Sequence, residues 1–469
     1  MNERDDGLFG ALENDSSGAG RNPAQSTPRT GTAGRRTMRT ARESAPSEIQ
    51  TDLFGFVPPE PSVGRATRRK AADAGVSTTE AGDSAQQPIA AKPAKSPKST
   101  PAADAPAPRR RAKGVLPAEP TQDLLDLGAE LPPGVRLGTS SWSFPGWRGI
   151  VYGDDYSNSK LARDGLAAYG AHPLLRSVSI DRSFYAPLTV TDYLRYAQQV
   201  PDHFRFIVKA PALITDASVR GDRGEPVSAN PCFLNADLAA REFVEPCLAG
   251  LGAKAGALVF QFPPLPDQLL ADPAVFVERL SAFLAALPPL PGFASTPSVD
   301  TEAGGAPSGG APSGGAPSGG APAGDGPCYA VEIRDGILLT PRFVRALRAA
   351  GVRYCVGLHA RMPDPLRQAA ALALMDGEAP AGPLIVRWSL HSGFKYEQAK
   401  ARYEPFNKLV DEDPHTRDAL AELAARYAIA GQPVLITTNN KAEGSAPLTC
   451  AKLARAIVDE MLRMRGDSA

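Results

Sequence analysis

The sequence predicts an α/β fold, a TIM-type (β/α)8 barrel preceded by a long disordered N-terminal tail. Three observations point there. After Val135 the chain carries eight short apolar runs of strand length, separated by amphipathic stretches, and near-continuous apolar strands alternating with helices imply a parallel sheet covered by helices. Eight such units within about 335 residues favour a closed barrel over an open sheet. The turn after the first run, "GTSSWSFPGW", lacks the GxGxxG of doubly wound sheets, and no GxxxxGK phosphate loop occurs in the chain.

Taken in order, residues 1–130 read as the tail. Ala, Pro, Ser, Thr, Gly and Arg dominate them, and branched or aromatic side chains are few, so little apolar surface is there to offset chain entropy. Residues 1–115 hold 18 Lys plus Arg against 13 Asp plus Glu, a charge of +5 that the remainder cancels. The clusters "GRRTMRTAR", "RATRRK" and "PRRRAKG" read as solubilising charge or as weak handles for a polyanion.

Residues 131–465 read as the barrel. Its strands are "VRLGTS", "SVSI", "FRFIVKA", "GALVFQF", "YAVEI", "RYCVGL", "PLIVRW" and "PVLITT". Helices are expected over 189–200, 233–249, 266–287, 341–350, 414–430 and 447–464. Thr340 before Pro341 and Asp413 before Pro414 each place proline in the first turn behind a capping residue. Residues 293–327, built on a GGAPS near-repeat, read as a flexible insertion at the barrel's amino-terminal end. Its deletion is expected to be silent, because loop length is entropically cheap.

Five cysteines without CxxC spacing argue for a reducing cytoplasm and against zinc, and neither a signal segment nor an apolar span of roughly 18 residues is present. The expectation is a cytoplasmic protein with no membrane partner, no cofactor and no metal.

Barrels of this type place their sites where the carboxyl ends of the strands meet. Those ends supply Thr139, Ser140, Trp142, Asp181, Ser183, Tyr185, Lys209, Gln261, Glu332, Arg334, His359, Arg387, Asn439 and Asn440. Polar residues at strand ends also cap strands and pair with one another. Three cations and two carboxylates at one mouth, however, are a costly density of charge that a ligand site explains.

The segments "RLGTSSWSFPGW", "SIDRSFYAPLTVTDYLRYAQQVPDHFRFIVKAP", "LVFQFPP", "AVEIRD" and "TTNNKAEGSAPLT" resemble those of the YecE-like family, domain of unknown function 72. The likeness runs from Arg136 to Ile457. It implies a TIM-type barrel without an established activity, and it places Trp142, Asp181, Tyr185, Lys209, Gln261, Glu332, Arg334, Arg387, Asn439 and Asn440 at the family's pocket positions. The chain departs from the family where Asp335 leads into "GILLTP" and where Trp388 follows Arg387.

Three chemistries compete for the mouth. Lys209, Arg334 and Arg387 suit a phosphorylated or nucleic-acid ligand, with Trp142, Trp147, Phe184 and Tyr185 available to stack a base or sugar. A hydrolase acting on such a substrate would use Asp181 or Glu332 as base and Lys209 for charge. Alternatively Asp181 and Glu332 form a glycosidase-like pair, although the neighbouring cations would lower both pKa values and spoil the acid. A metal-dependent phosphodiesterase fits poorly, because the five histidines show no HxH or HExxH spacing. A non-catalytic binding module is the remaining option.

The tail carries "QTDLF", Gln50 to Phe54. It resembles the peptide by which bacterial polymerases and repair proteins dock on the replication sliding clamp. Gln50 would make the polar contact and Leu53 and Phe54 would fill an apolar pocket. The alternatives are a chance hydrophobic stretch without a partner, or a segment that packs on the protein's own barrel. "DDGLFGAL", Asp5 to Leu12, repeats the LFG element without the glutamine.

Overall fold

The structure, a computed structural model, describes residues 114–221, 224–291, 325–391 and 394–466. Ten strands occur among them: β1 Val135–Thr139, β2 Leu175–Ile180, β3 Arg205–Lys209, β4 Ser218–Arg220, β5 Pro226–Ala229, β6 Ala255–Gln261, β7 Cys328–Glu332, β8 Arg353–Leu358, β9 Leu384–Trp388 and β10 Val434–Thr438. Eight close a barrel in the order β1-β10-β9-β8-β7-β6-β3-β2. The barrel pairings are parallel, with Gln261 opposite Glu332 and Gly357 opposite Arg387 at the carboxyl ends. The predicted barrel is therefore the observed one, and all eight predicted strands form it.

Side-chain direction alternates along each strand, so every second residue of a closed barrel points inward. Ile207, Ala257, Val259, Cys328, Ala330, Cys355, Ile385 and Leu435 pack as one buried cluster at this two-residue spacing. The opposite parity, such as Val178, Phe206, Leu258, Val331 and Val386, joins the large cluster under the helices. Two polar layers flank the inner apolar plug. Below it, Arg136 and Arg205 each reach Asp325 at 2.7 Å. Above it lies the mouth.

Several boundaries differ from the sequence reading. The line between tail and barrel was drawn after residue 130, yet Gln122–Glu130 is a helix. Thr121 caps it by accepting from the Leu124 amide, Leu127 and Leu131 are buried, and Glu130 pairs with Arg455 of the last helix at 2.8 Å. Asp325 was assigned to the insertion, but its carboxylate joins the two arginines beneath the barrel. The expected helix over 233–249 is Ala236–Ala239 and Glu245–Leu251 joined through a π-helical turn, Ala240–Val244. That over 266–287 breaks into Asp267–Leu270 and Pro273–Ala285, where Asp272 caps a new start before Pro273.

Six further helices, Asn158–Asp164, Leu166–Gly170, Ala212–Thr215, Pro365–Asp376, Tyr396–Tyr403 and Asn440–Glu443, and the antiparallel β4–β5 hairpin lie outside the expected elements. The segment Gln50–Phe54 and the GGAPS repeat lie outside the described residues. Among the described residues no helix is long and apolar enough to cross a membrane.

Candidate functional site

The mouth is organised around Arg387, the inward residue at the end of β9. Its Nη1 donates to Glu332 Oε2 at 2.6 Å, and its Nη2 donates to both oxygens of Asp181 at 2.8 Å. Glu332, at the end of β7 and fully buried, pairs in turn with Arg334 Nη2 at 2.7 Å. Glycine at position 357 keeps room for this carboxylate, since a Cβ there would stand 3.1 Å from Glu332 Cγ and 3.2 Å from its Oε1. Ser179, two residues before Asp181 and on the same face of β2, donates to Asp181 Oδ1 at 2.6 Å. Arg334 also reaches Gln261 Oε1 and Ser389 Oγ, both at a long 3.4 Å, and its Nε has no hydrogen-bond partner among the described residues.

Lys209 ends β3. Ser183 fixes that end of the strand by donating to the Lys209 carbonyl at 2.6 Å. The ammonium nitrogen lies 3.5 Å from the centre of the Phe184 ring. No carboxylate stands at ion-pair distance from it among the described residues, because Asp181 and Glu332 are taken by arginine. Burial pulls the Lys209 amine down to about 7, with Asp181 opposing the fall and Arg387 and Arg334 adding to it. His359, the inward residue just past β8, is brought down to about 4 by burial and by Arg334, and is neutral at physiological pH. Its Nδ1 is buried without a hydrogen-bond partner among the described residues. Burial would raise Glu332, but the Arg334 and Arg387 guanidiniums overcome it and hold the carboxyl below its ordinary value.

These side chains line a cavity of about 130 Å³. Its walls include the predicted residues Asp181, Lys209, Gln261, Arg334, Arg387 and Asn439. Glu332 lies beneath, behind the two arginines. Three predicted residues stand elsewhere. Trp142 is buried, donates to the Leu161 carbonyl at 3.1 Å and packs edge-on against Tyr196. Tyr185 is exposed outside the cavity, against Phe184. Asn440 has the outward parity: its Oδ1 accepts from the Trp147 indole at 3.2 Å and from the Ala446 amide at 2.8 Å, holding the first loop to the last helix. Trp147 is likewise buried away from the mouth.

Ser140 and His359, also strand-end residues of the sequence reading, line the wall, and the wall residues outside that reading are Ser389, Leu390, Pro264, Tyr396 and Glu397. Ser389 is readable from inward parity. Tyr396 and Glu397 come from the unforeseen helix Tyr396–Tyr403.

The geometry weighs against a glycosidase pair. Arg387 fills the space between Asp181 and Glu332 where sugar and water would have to sit, and Glu332, held ionised and shut from solvent, is no acid. Asp181 and Glu332 both accept from the Arg387 guanidinium. Among the described residues no group of three His, Cys, Asp or Glu side chains is placed to hold a metal ion.

A family described as "Protein of unknown function DUF72" matches residues 136–467. Among solved structures, a DUF72 family protein from Enterococcus faecalis shares 15% identity, covering 69% of this chain and 95% of its own, with a TM-score of 0.42. One from Thermotoga maritima shares 16%, covering 70% and 99%, at 0.40. The monooxygenase RslO1 from Streptomyces bottropensis shares 13%, covering 70% and 99%, at 0.32. None of the curated proteins matches.

Proposed function

We propose, from the premise that this chain belongs to the DUF72 family, that its barrel mouth binds a small anion. The observation that carries the reading is a surplus cation. Lys209, Arg334 and Arg387 surround two carboxylates, both carboxylates are engaged by arginine, and Lys209 is left with an aromatic face in place of a counter-ion. A buried ammonium without a partner is costly, and an incoming anion relieves that cost. Arg334 contributes two weak contacts, at 3.4 Å each, that a phosphate or carboxylate would replace with charge-assisted bonds.

Size favours a small molecule. A cavity of about 130 Å³ resembles the roughly 150 Å³ that holds a benzene-sized guest. A phosphorylated or carboxylated metabolite fits it, whereas nucleic acid would lie across the mouth and present one phosphate. Salt separates the two, since one small anion gives a shallow dependence and a strand engaging several phosphates a steep one.

Calorimetric titration with inorganic phosphate tests the site. Affinity is expected to fall as pH rises through about 7, where Lys209 loses its proton, and to drop about tenfold or more in Lys209→Met, as loss of a charge-assisted contact implies. Equal affinity in both proteins at every pH would sink the reading. The segment Gln50–Phe54 adds a separate element to the proposal, a sliding-clamp anchor that would bring the barrel to replicating DNA. A fluorescent peptide spanning residues 47–59, with Leu53→Ala, Phe54→Ala as control, tests it.

A further inference from the structure

We infer that Lys209 is an imine-forming amine, condensing with the carbonyl group of a small oxo acid whose carboxylate is held by Arg334. The inference rests on the anion-binding reading and goes beyond it to a covalent step. Four features of the mouth support it. Lys209 reaches a cavity just large enough for a few heavy atoms. Its amine is engaged by no carboxylate among the described residues and rests on the Phe184 ring at 3.5 Å, so its lone pair is not tied up by a permanent ion pair. Arg334 lines the same cavity, and its contacts to Gln261 and Ser389 are long at 3.4 Å, weak enough to yield to a carboxylate held at one end while the adjacent carbonyl meets the amine. Burial and the two arginines leave a substantial neutral fraction of Lys209 near pH 7, the form with the nucleophilic lone pair.

The chemistry balances with no added oxidant or reductant. The amine nitrogen attacks the carbonyl carbon, forming the N–C bond while the π pair moves to oxygen. That oxygen takes up the proton released from nitrogen, giving a carbinolamine. Protonation of its hydroxyl and loss of the remaining N–H proton break the C–O bond, expelling water and leaving the C=N bond. His359, neutral and lining the same cavity, is the group assigned to pass a proton to the departing oxygen. The product is an imine whose electron-withdrawing C=N bond activates the neighbouring carbon, the chemistry of carbon–carbon bond making or breaking next to a carbonyl.

The test is reductive trapping. The full-length protein is incubated with pyruvate and sodium cyanoborohydride, digested, and mapped by mass spectrometry. The expected result is one reduced pyruvyl adduct on the peptide carrying Lys209, formed at least tenfold faster than on any surface lysine and slowed by inorganic phosphate. Mapping in the wild-type protein makes the result independent of whether a Lys209→Met variant folds, and that variant serves as the second arm. Adducts spread over surface lysines, with Lys209 unmodified, overturn the imine. If phosphate then still binds the wild type more tightly than Lys209→Met, the anion site stands without the covalent step; if it binds both equally, both fall.

Discussion

Lys209 sets a conflict between burial and charge that can be read in stability. Its amine titrates near 7 in the fold against 10.5 in the unfolded chain. Between those values the unfolded chain binds the additional proton, so this group makes unfolding harder as pH rises, by at most about 1.4 kcal/mol per unit. The ligand-free wild type is therefore expected to gain stability from pH 7 towards 10.5 relative to Lys209→Met, and the variant to be the more stable of the two at neutral pH. Urea unfolding across that range checks it, and parallel pH profiles would refute it. Arg387 is the opposite case, a buried cation with both its partners in place. Arg387→Ala strips Asp181 of its ion pair and leaves the buried Glu332 with Arg334 alone, and is expected to cost about 3–5 kcal/mol. Arg387→Lys should rescue little, because a point charge cannot span both carboxylates as the planar fork does. The same residue scale shows what was legible in the sequence. Strand ends announced the mouth, and inward parity separates Asn439, on the wall, from Asn440, which faces outward and holds Trp147. Trp142 and Tyr185 lie in loops past the strands, where no period dictates direction.

At the scale of elements, the strands are readable because each is a short, largely apolar run bounded by turn residues, while elements defined by one cap or one distant contact are not. Helix Gln122–Glu130 follows residues of tail-like composition, and the contacts that place it are distant: Glu130 to Arg455, and the Arg176 guanidinium donating to the Leu131 and Pro132 carbonyls at 3.1 and 3.0 Å. Helix Tyr396–Tyr403 is polar, with only Ala399 and Tyr403 buried, so no apolar stripe marked it. Asp325 is the sharpest instance. By sequence it ends a Gly/Ala/Pro/Ser stretch, yet it is the shared carboxylate for Arg136 and Arg205 beneath the barrel. Deleting residues 304–324 is expected to change stability by under about 1 kcal/mol, since shortening a loop alters closure entropy slowly. Asp325→Ala, one atom group in a neighbouring position, is expected to cost about 3–5 kcal/mol by stranding two buried guanidiniums. Comparable losses from the two changes would refute this division of the segment.

For the whole molecule, closure is the decisive property. The strand order β1-β10-β9-β8-β7-β6-β3-β2 leaves no barrel edge, and the inner apolar plug, both polar layers and the helical cover are all built from residues 114–466. The adjacent Leu53 and Phe54 lie outside the described residues, and the sequence reading offers an anchor or a self-packing segment for them. Removing residues 1–113 separates the two that the sequence leaves open. If "QTDLF" anchors the protein to a sliding clamp, the truncated barrel should melt within a few degrees of the full chain, the shift expected for under about 1 kcal/mol. It should also keep its phosphate affinity and lose clamp binding in pull-down. If the segment instead packs on the barrel, truncation exposes the apolar surface it covered. Burying side chains of this size contributes about 1.5–3 kcal/mol each, so melting would fall by clearly more than a few degrees, and Leu53→Ala, Phe54→Ala in the full chain would reproduce the loss.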